Sequence, residues 1–290
     1  KATAVDVAPP PDRFGYSVAV SQNMVVVGAP SEDSSSLGVN GTPIVTDNHD
    51  YDSGAAYIFT RSGTRWTQEA YLKPMAIGDS QEGDRFGHSV AVSNGTVVVG
   101  APHEDSSTTG VNTVPGDSAS TGQDSGAVYV YVYDSGEAAW FQEAYLKPES
   151  VGLSQEDDGF GWSVAIAGET LAVGAPFEAS STMGVNSIPN EDASASGAAY
   201  VFVRHEGNWN QEAYVKPESV GTTQVGDSFG WSVGLLFNGL VVGAPDEDSI
   251  STGINSAPED TGGPMVNSEL AIFSLEAVRL GVSKLFSSPT

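Results

Sequence analysis

The chain contains 290 residues, of which 37 are acidic and 11 basic, and its formal net charge at pH 7 is -26. Such an acidic protein repels nucleic acid and anionic lipid, so the composition argues against both as partners. Cysteine is absent, which excludes disulfides and thiolate metal sites. No apolar run reaches the roughly 20 residues of a membrane-spanning helix, and the first residues do not resemble a signal segment. We therefore expect a soluble chain or a processed mature form without membrane insertion.

A repeated phrase divides the chain into four units. Phe-Gly, then Tyr, His or Trp, then Ser-Val recurs at nearly constant spacing, and each copy is followed by Val-Gly-Ala-Pro; the copies begin at Phe14, Phe86, Phe160 and Phe229. Such a repeat indicates supersecondary units that stack and bury a shared core. We predict a single assembly with an amino-terminal arm at residues 1–11, followed by units at approximately 12–83, 84–157, 158–226 and 227–290.

The first unit predicts four short strands. From Phe14 to Val20, large and small residues alternate, so the large face of this strand can pack on the small face of the next unit. Met24–Ala29 is apolar throughout, as expected of an inner strand covered on both sides. After a long polar stretch, Gly54–Thr60 is a third β-rich segment.

The last segment of the unit, Arg65–Pro74, is the most polar and suits an outer edge strand. Simple alternation predicts that Trp66, Ala70 and Leu72 share one face of this strand. The opposite face then carries Thr67, Glu69, Tyr71 and Lys73.

Four strands per unit, with the most apolar second and the most polar last, describe a propeller blade that runs outward from a central axis. Phe-Gly, Val-Gly-Ala-Pro, Gly-Ala-Ala-Tyr and Trp-x-Gln-Glu-Ala-Tyr together resemble the FG-GAP repeat of integrin-α-type β-propellers. The Gly-Val-Asn loop is similar to the bacterial and environmental form of that repeat. The resemblance implies an all-β propeller of four blades, each with four antiparallel strands and a long loop between the second and third strands. The blades close into a small ring or belong to a larger assembly.

Two departures limit the resemblance. Integrin propellers bind calcium in a hairpin between the first and second strands, but here only Ser21–Asn23 joins those strands, so that site is missing. The last unit also diverges, because Glu269–Phe273 stands where Gly-Ala-Ala-Tyr is expected. A terminal blade that faces a different neighbour is expected to diverge in this way.

Acidic residues open and close the long loops, which suggests a calcium site. Ca²⁺ takes six to eight oxygen ligands, and Asp50-x-Asp52-x-Gly54 places two carboxylates and a flexible turn in one short stretch. Solvated acids that keep the protein soluble are the alternative. The candidate metal ligands are Glu32, Asp33, Asp47, Asp50, Asp52, Glu104, Asp105, Asp117 and Asp124.

Two further recurrences are interpreted as structural. An aspartate two places before each Phe-Gly suits an Asx-type turn into the first strand; these residues are Asp12, Asp84, Asp158 and Asp227. The ring that follows each Phe-Gly suits packing between blades, with stacking on sugars as the alternative; these residues are Tyr16, His88, Trp162 and Trp231.

No catalytic motif stands out, and the histidines lie at unrelated places in their units, so we expect no enzyme activity. The leading hypothesis is a non-catalytic extracellular or cell-surface recognition module that binds a protein or a glycan. One alternative is a structural subunit of a filament or surface layer, in which copies join through the amino-terminal arm. A second alternative is an accessory propeller of a carbohydrate-active enzyme. Asn40 and Asn94 lie in sequons and are candidate glycosylation sites.

Overall fold

The computed structural model describes residues 11–41, 50–75, 78, 80–116, 122–149, 151–218, 224–236, 238–248 and 269–279. The predicted amino-terminal arm therefore lies almost entirely outside the described residues. Within the described part the chain forms four antiparallel sheets, one in each repeat unit. No helix there is long and apolar enough to span a membrane.

The first two sheets each contain four strands. Sheet 1 consists of β1 (Ser17–Ser21), β2 (Met24–Ala29), β3 (Ala55–Ser62) and β4 (Arg65–Leu72). Sheet 2 consists of β5 (Ser89–Ser93), β6 (Thr96–Ala101), β7 (Ala127–Asp134) and β8 (Ala139–Leu146).

Sheet 3 repeats this plan, whereas sheet 4 does so only in part. Sheet 3 consists of β9 (Ser163–Ala167), β10 (Thr170–Ala175), β11 (Ala198–His205) and β12 (Asn208–Val215). Sheet 4 contains β13 (Ser232–Leu236), β14 (Gly239–Ala244) and β15 (Glu269–Ser274), followed by the short helix α1 (Leu275–Arg279).

Strand order in every sheet follows chain order, so the predicted all-β fold with propeller-like sheets is confirmed. Three strands of sheet 4 are described, and α1 follows β15 where the other units begin an outer strand. The residues after α1 lie outside the described part of the chain, so a fourth strand in this unit stays a prediction. Leu, Glu, Ala and Arg in α1 are good helix formers. Leu275 and Val278 are buried in the core between sheets 3 and 4.

Each sheet has a face of large residues and a face of small residues, and the two kinds of face meet. Phe86 and Tyr129 of sheet 2 pack with Val26, Ala56 and Ala70 of sheet 1 in one core cluster. The same arrangement joins sheet 3 to sheet 2 and sheet 4 to sheet 3. The predicted pairing of large and small faces is therefore found, but each large face covers the preceding sheet rather than the next one.

The side-chain alternation of the outer strands differs from the alternation predicted from sequence. In sheet 1, Ala70 pairs with Ile58 and Gln68 pairs with Phe59, so Glu69 is an extra residue at a β-bulge. A bulge shifts the side-chain alternation by one residue. In sheet 2 the equivalent Trp140 therefore packs in the core with sheet 1, whereas Leu146 packs in the core with sheet 3. The prediction that Trp66 shares a face with Ala70 and Leu72 is wrong for this reason.

The inner strands pack side by side in the order β1, β5, β9 and β13. Strands β1 and β13, which are both fully described, do not pack on each other in that way. The described sheets therefore form an open, propeller-like stack, in which no other described sheet packs on the large face of sheet 1 or on the small face of sheet 4.

Candidate ligand-binding face

The antiparallel topology collects the long loops at one end of the stack. The second strand of each sheet ends where the third begins, and the outer strand also ends there, next to the first strand of the following unit. Short turns such as Gln22–Asn23 lie at the opposite end. We call the end with the long connections the loop face. Loops held on a rigid scaffold are where binding residues concentrate.

A row of rings crosses the loop face near the inner strands. The ring centroids of Tyr16 and His88 lie 5.1 Å apart, those of His88 and Trp162 lie 4.6 Å apart, and those of Trp162 and Trp231 lie 4.9 Å apart. Phe177 makes an edge contact with Trp162 at 5.1 Å. The predicted packing of these rings from one unit to the next is confirmed. We call these five residues the aromatic row.

The aromatic row is buried at His88, partly buried at Trp162 and exposed at its ends. His88 is only 9% exposed, whereas Tyr16 is 52% and Trp231 is 40% exposed. Nδ1 of His88 lies 3.2 Å from the carbonyl oxygen of Trp162, and Nε2 lies 3.3 Å from the Tyr16 hydroxyl. Burial lowers the pKa of His88 to about 4, so the imidazole is neutral at pH 7. The row is therefore an uncharged surface within an acidic protein.

A polar group lies beside the row in unit 2. Nη1 of Arg85 lies 3.2 Å from Nε2 of His103, and Nδ1 of His103 lies 2.6 Å from Oδ1 of Asp124. Because a guanidinium can only donate, Nε2 accepts its hydrogen bond and Nδ1 carries the proton that is donated to Asp124. In unit 4 the positions of Arg85 and His103 are taken by Ser228 and Asp246, which lie 3.0 Å apart. The group therefore changes between units while the backbone positions stay the same.

Beneath the loop face, a buried lysine–glutamate pair occurs in each of the first three units. Nζ of Lys73 donates to Oε2 of Glu32 at 3.2 Å and to Oγ of Ser53 at 2.7 Å. The equivalent pairs, Lys147 with Glu104 and Lys216 with Glu178, each span 3.1 Å. All three lysines are fully buried. Each pair ties the end of the outer strand to the start of the long loop.

The lysines of units 2 and 3 have three acceptors each. In unit 2, Nζ of Lys147 donates to Glu104, to Oγ of Ser125 at 2.6 Å and to the carbonyl oxygen of Gly126 at 2.7 Å. The hydroxyl of Tyr145 donates to the other oxygen of Glu104 at 2.9 Å. An ammonium has three protons to donate, so its hydrogen bonds are complete and the buried charge is compensated.

Burial lowers the pKa of each of the three lysines, and neighbouring carboxylates raise it. Burial lowers the pKa of Lys147, while Glu104, Asp158 and Asp84 raise it. Burial also raises the pKa of Glu32. Asp158 belongs to the Asp-x-Phe-Gly sequence of the following unit, and its pKa is raised well above its usual value by burial and by nearby glutamates. The recurring aspartates therefore act electrostatically on the buried lysines; an Asx turn at these residues stays a prediction.

Comparison with protein families agrees with this repeated architecture. Residues 1–59, 66–131 and 140–202 match the family model described as FG-GAP repeat, and these stretches cover more than half of the chain. The protein belongs to the FG-GAP repeat family. Its second and third matches run from the outer strand of one sheet to the third strand of the next, so the family pattern spans the junction between sheets. A comparison with curated proteins gives no match.

The FG-GAP loops use several of the predicted calcium ligands for other contacts. Glu32 and Glu104 pair with lysines. Oδ1 of Asp33 accepts the backbone N–H of Asp52 at 2.8 Å, and Asp105 accepts that of Asp124 at 2.9 Å. Within the described residues, no group of three or more His, Asp or Glu side chains is arranged to hold a metal ion.

These contacts restrict the calcium prediction. The lysine-bound Glu32 and Glu104 do not fit a cation site, because the neighbouring ammonium groups repel Ca²⁺. The carboxylate of Asp50 accepts a hydrogen bond from Nε2 of Gln81 at 3.3 Å. Asp50 and Asp52 lie in the same loop. The prediction stays open at Asp33, Asp50, Asp52, Asp105 and Asp124. The remaining predicted ligands, Asp47 and Asp117, lie outside the described residues.

The Gly-Val-Asn loops of the FG-GAP units have a structural role that the sequence did not reveal. Oδ1 of Asn40 accepts the backbone N–H of Tyr71 at 2.9 Å, and the Asn40 N–H donates to the Tyr71 carbonyl at 2.8 Å. Asn112 and Asn186 make the same paired contacts with Tyr145 and Tyr214. The asparagine thereby fastens the long loop to the outer strand. Both candidate glycosylation residues, Asn40 and Asn94, are exposed.

Proposed function

We propose that this FG-GAP protein is a non-catalytic recognition module, outside the cell or at its surface, which binds a neutral glycan on the aromatic row. The observation that carries the proposal is the pattern of change among units. The contacts beneath the loop face repeat from unit to unit, whereas the ring position is Tyr16, His88, Trp162 or Trp231. A repeat that preserves its scaffold and varies one exposed cluster is typical of a binding surface.

The chemistry of the row favours a neutral, ring-bearing ligand. The exposed rings of Tyr16 and Trp231 offer apolar faces on which the C–H face of a sugar can stack. Acidic and hydroxyl side chains of the surrounding loops can accept and donate hydrogen bonds to sugar hydroxyls. The net charge of -26 disfavours anionic ligands.

The absence of catalysis is part of the proposal and is supported by the partners of His103. One ring nitrogen faces Asp124 and the other faces Arg85. A general base needs a free nitrogen that faces a nucleophile or a substrate proton. His103 is instead held between a carboxylate and a guanidinium, which suits a structural or ligand-contacting role.

The test is binding to a panel of immobilised neutral oligosaccharides, followed by titration with intrinsic tryptophan fluorescence. We expect Trp231→Ala to weaken binding by about tenfold or more, as is usual for a central aromatic contact. Trp66→Ala is the matched control, because Trp66 is 44% exposed but lies near the opposite end of sheet 1.

Two results would decide against the proposal. Failure of every oligosaccharide in the panel to bind would overturn the glycan as ligand. Equal loss of binding in the Trp231→Ala and Trp66→Ala variants would show that the aromatic row is not the site. Binding of protein-derived peptides that depends on Trp231 would keep the recognition face and replace the glycan with a protein ligand.

A further inference from the structure

Part of the large-residue face of sheet 1 is exposed, although the equivalent residues of sheet 2 are buried; Val27, Tyr57 and Tyr71, nearer the loop face, are buried within the chain itself. Val18 is 67% exposed, whereas the equivalent Val90 of sheet 2 is 9% exposed. Trp66 is 44% exposed, against 6% for Trp140. Phe14 is also more than one-third exposed. Several exposed large apolar side chains on one face of a sheet indicate an interaction surface.

The small-residue face of sheet 4 is uncovered in the same manner. Leu270 is 61% exposed and Ile272 is 39% exposed. The residues at the same register positions in sheet 2, Val128 and Val130, are fully buried against sheet 3. The stack therefore ends in two apolar faces of opposite kind.

One polar contact recurs at each of the three junctions between neighbouring sheets. Oγ of Ser17 donates to the carbonyl oxygen of Gly87 in the next sheet at 2.8 Å. The same contact spans 2.7 Å from Ser89 to Gly161 and 2.9 Å from Ser163 to Gly230. These contacts fix how one sheet sits on the next, because the hydroxyl and the carbonyl meet in only one register.

The glycine of Val-Gly-Ala-Pro completes the junction. A Cβ atom on Gly28 would overlap the carbonyl of Gly87, so the sheets approach as closely as glycine allows. In sheet 4, Gly243 occupies the same register position, but the atoms nearest to a Cβ there belong to Ser232 of the same sheet. A Cβ atom on Gly15, the acceptor glycine of sheet 1, would meet nothing within 4 Å.

We propose that a second copy of this chain covers these faces, with the small face of sheet 4 in one copy docked on the large face of sheet 1 in the other. The argument for a second copy is that each chain carries both halves of a junction that it already forms three times internally. Ser232 would donate to the carbonyl of Gly15 in the other copy, and Leu270 and Ile272 would pack near Phe14 and Val18. The assembly is head-to-tail and continues the stack of sheets across the two chains.

The net charge of the chain makes this association depend on the salt concentration. Each copy carries a net charge of -26, so two copies repel at long range. Salt screens this repulsion and leaves apolar burial almost unchanged. Association is therefore stronger at high ionic strength, which separates it from association driven by opposite charges.

The experiment measures mass by sedimentation velocity over a range of protein concentrations at low and high salt. The wild-type chain is expected to shift from monomer to larger species as concentration rises. Val18→Asp blocks the sheet 1 face and Ile272→Asp blocks the sheet 4 face, so each variant alone stays monomeric. An equimolar mixture of the two variants forms a dimer, because each retains the face that the other has lost.

Controls keep the result interpretable. Leu153→Asp changes a residue that is 91% exposed in a loop, and it should associate like the wild type. Circular dichroism of each variant reports whether the monomer is folded. A wild-type chain that stays monomeric at every concentration and salt would overturn the proposal, as would a mixture of the two blocked variants that fails to dimerise while both are folded.

Discussion

The aromatic row lies on the loop face and the buried lysine pairs lie beneath it, but the two differ in how their residues vary from unit to unit. The lysine pairs repeat with nearly the same distances in three units. The aromatic row changes its residue at almost every step and leaves Tyr16 and Trp231 exposed at its ends. The difference teaches that repetition marks what holds the sheets in place, whereas variation on the same backbone marks where a ligand can be distinguished.

The largest expected effect comes from breaking one buried pair. Lys147→Met leaves the carboxylate of Glu104 buried without its cation, and we expect the free energy of unfolding to fall by about 3–5 kcal/mol. Urea denaturation measures the change. The double variant Lys147→Met with Glu104→Met should lose much less, because it removes both charges. Arg65→Met, at an exposed position, is the control for loss of a positive charge.

The aromatic row predicts a pH effect of intermediate size. The folded-state pKa of His88, about 4, is lower than its unfolded value near 6.5, so its contribution to stability is complete above pH 6.5 and is lost as pH falls toward 4. The difference between the two pKa values corresponds to about 3 kcal/mol. Urea denaturation of the wild type and of His88→Phe between pH 7 and pH 4 should isolate this contribution. His205→Gln, at a histidine whose side chain is 84% exposed, is the matched control; an equal change in both variants would contradict the assignment.

Release of a long loop is expected to have a smaller effect. Asn112→Ala removes the oxygen that accepts the Tyr145 N–H, and it also places alanine at a positive φ of 53°, so we expect a loss of about 1–2 kcal/mol. Asn112→Asp keeps an acceptor in the same place and should recover most of the stability. Hydrogen exchange at the Tyr145 amide gives a local readout. Slow exchange at that amide in the alanine variant would argue against the clamp.

The smallest effect concerns cations. If Asp50 and Asp52 bind Ca²⁺, EDTA lowers the melting temperature by a few degrees, about the shift that 1 kcal/mol produces in a chain of this size. Asp50→Asn with Asp52→Asn should remove the response to EDTA. No response in the wild type would end the calcium prediction for the first loop.

Much of the fold could be predicted from sequence because the signals recur. Val-Gly-Ala-Pro marks the second strand of each sheet correctly, and β2 begins and ends at the predicted residues. The face of Trp66 could not be predicted, because the bulge at Glu69 depends on pairing between strands rather than on local alternation. The helix after β15 was also missed, since the prediction rested on the repeat and the last unit departs from it.

The candidate site was predicted less well. The ring positions were identified from the repeat, but their contact as one row needs the arrangement of the sheets. The buried pairs were missed because acids in loops were interpreted as cation ligands. A signal was nevertheless present: three of the few lysines, at Lys73, Lys147 and Lys216, occupy the same place in their units, each before a proline. A charged residue that recurs at the same place directly after the outer strand indicates a buried partner of opposite charge.

The bulge in each outer strand has a consequence for how the protein unfolds. In sheet 2 the strand segment before the bulge contributes Trp140 to the core with sheet 1, and the segment after it contributes Ala144 and Leu146 to the core with sheet 3. Glu143, at the bulge, accepts hydrogen bonds from Arg204 and Trp209 of sheet 3. One strand is thus a shared member of two cores, so its detachment weakens both at once. Unfolding should therefore propagate along the stack as a single cooperative transition, with the two terminal sheets as the places where it starts.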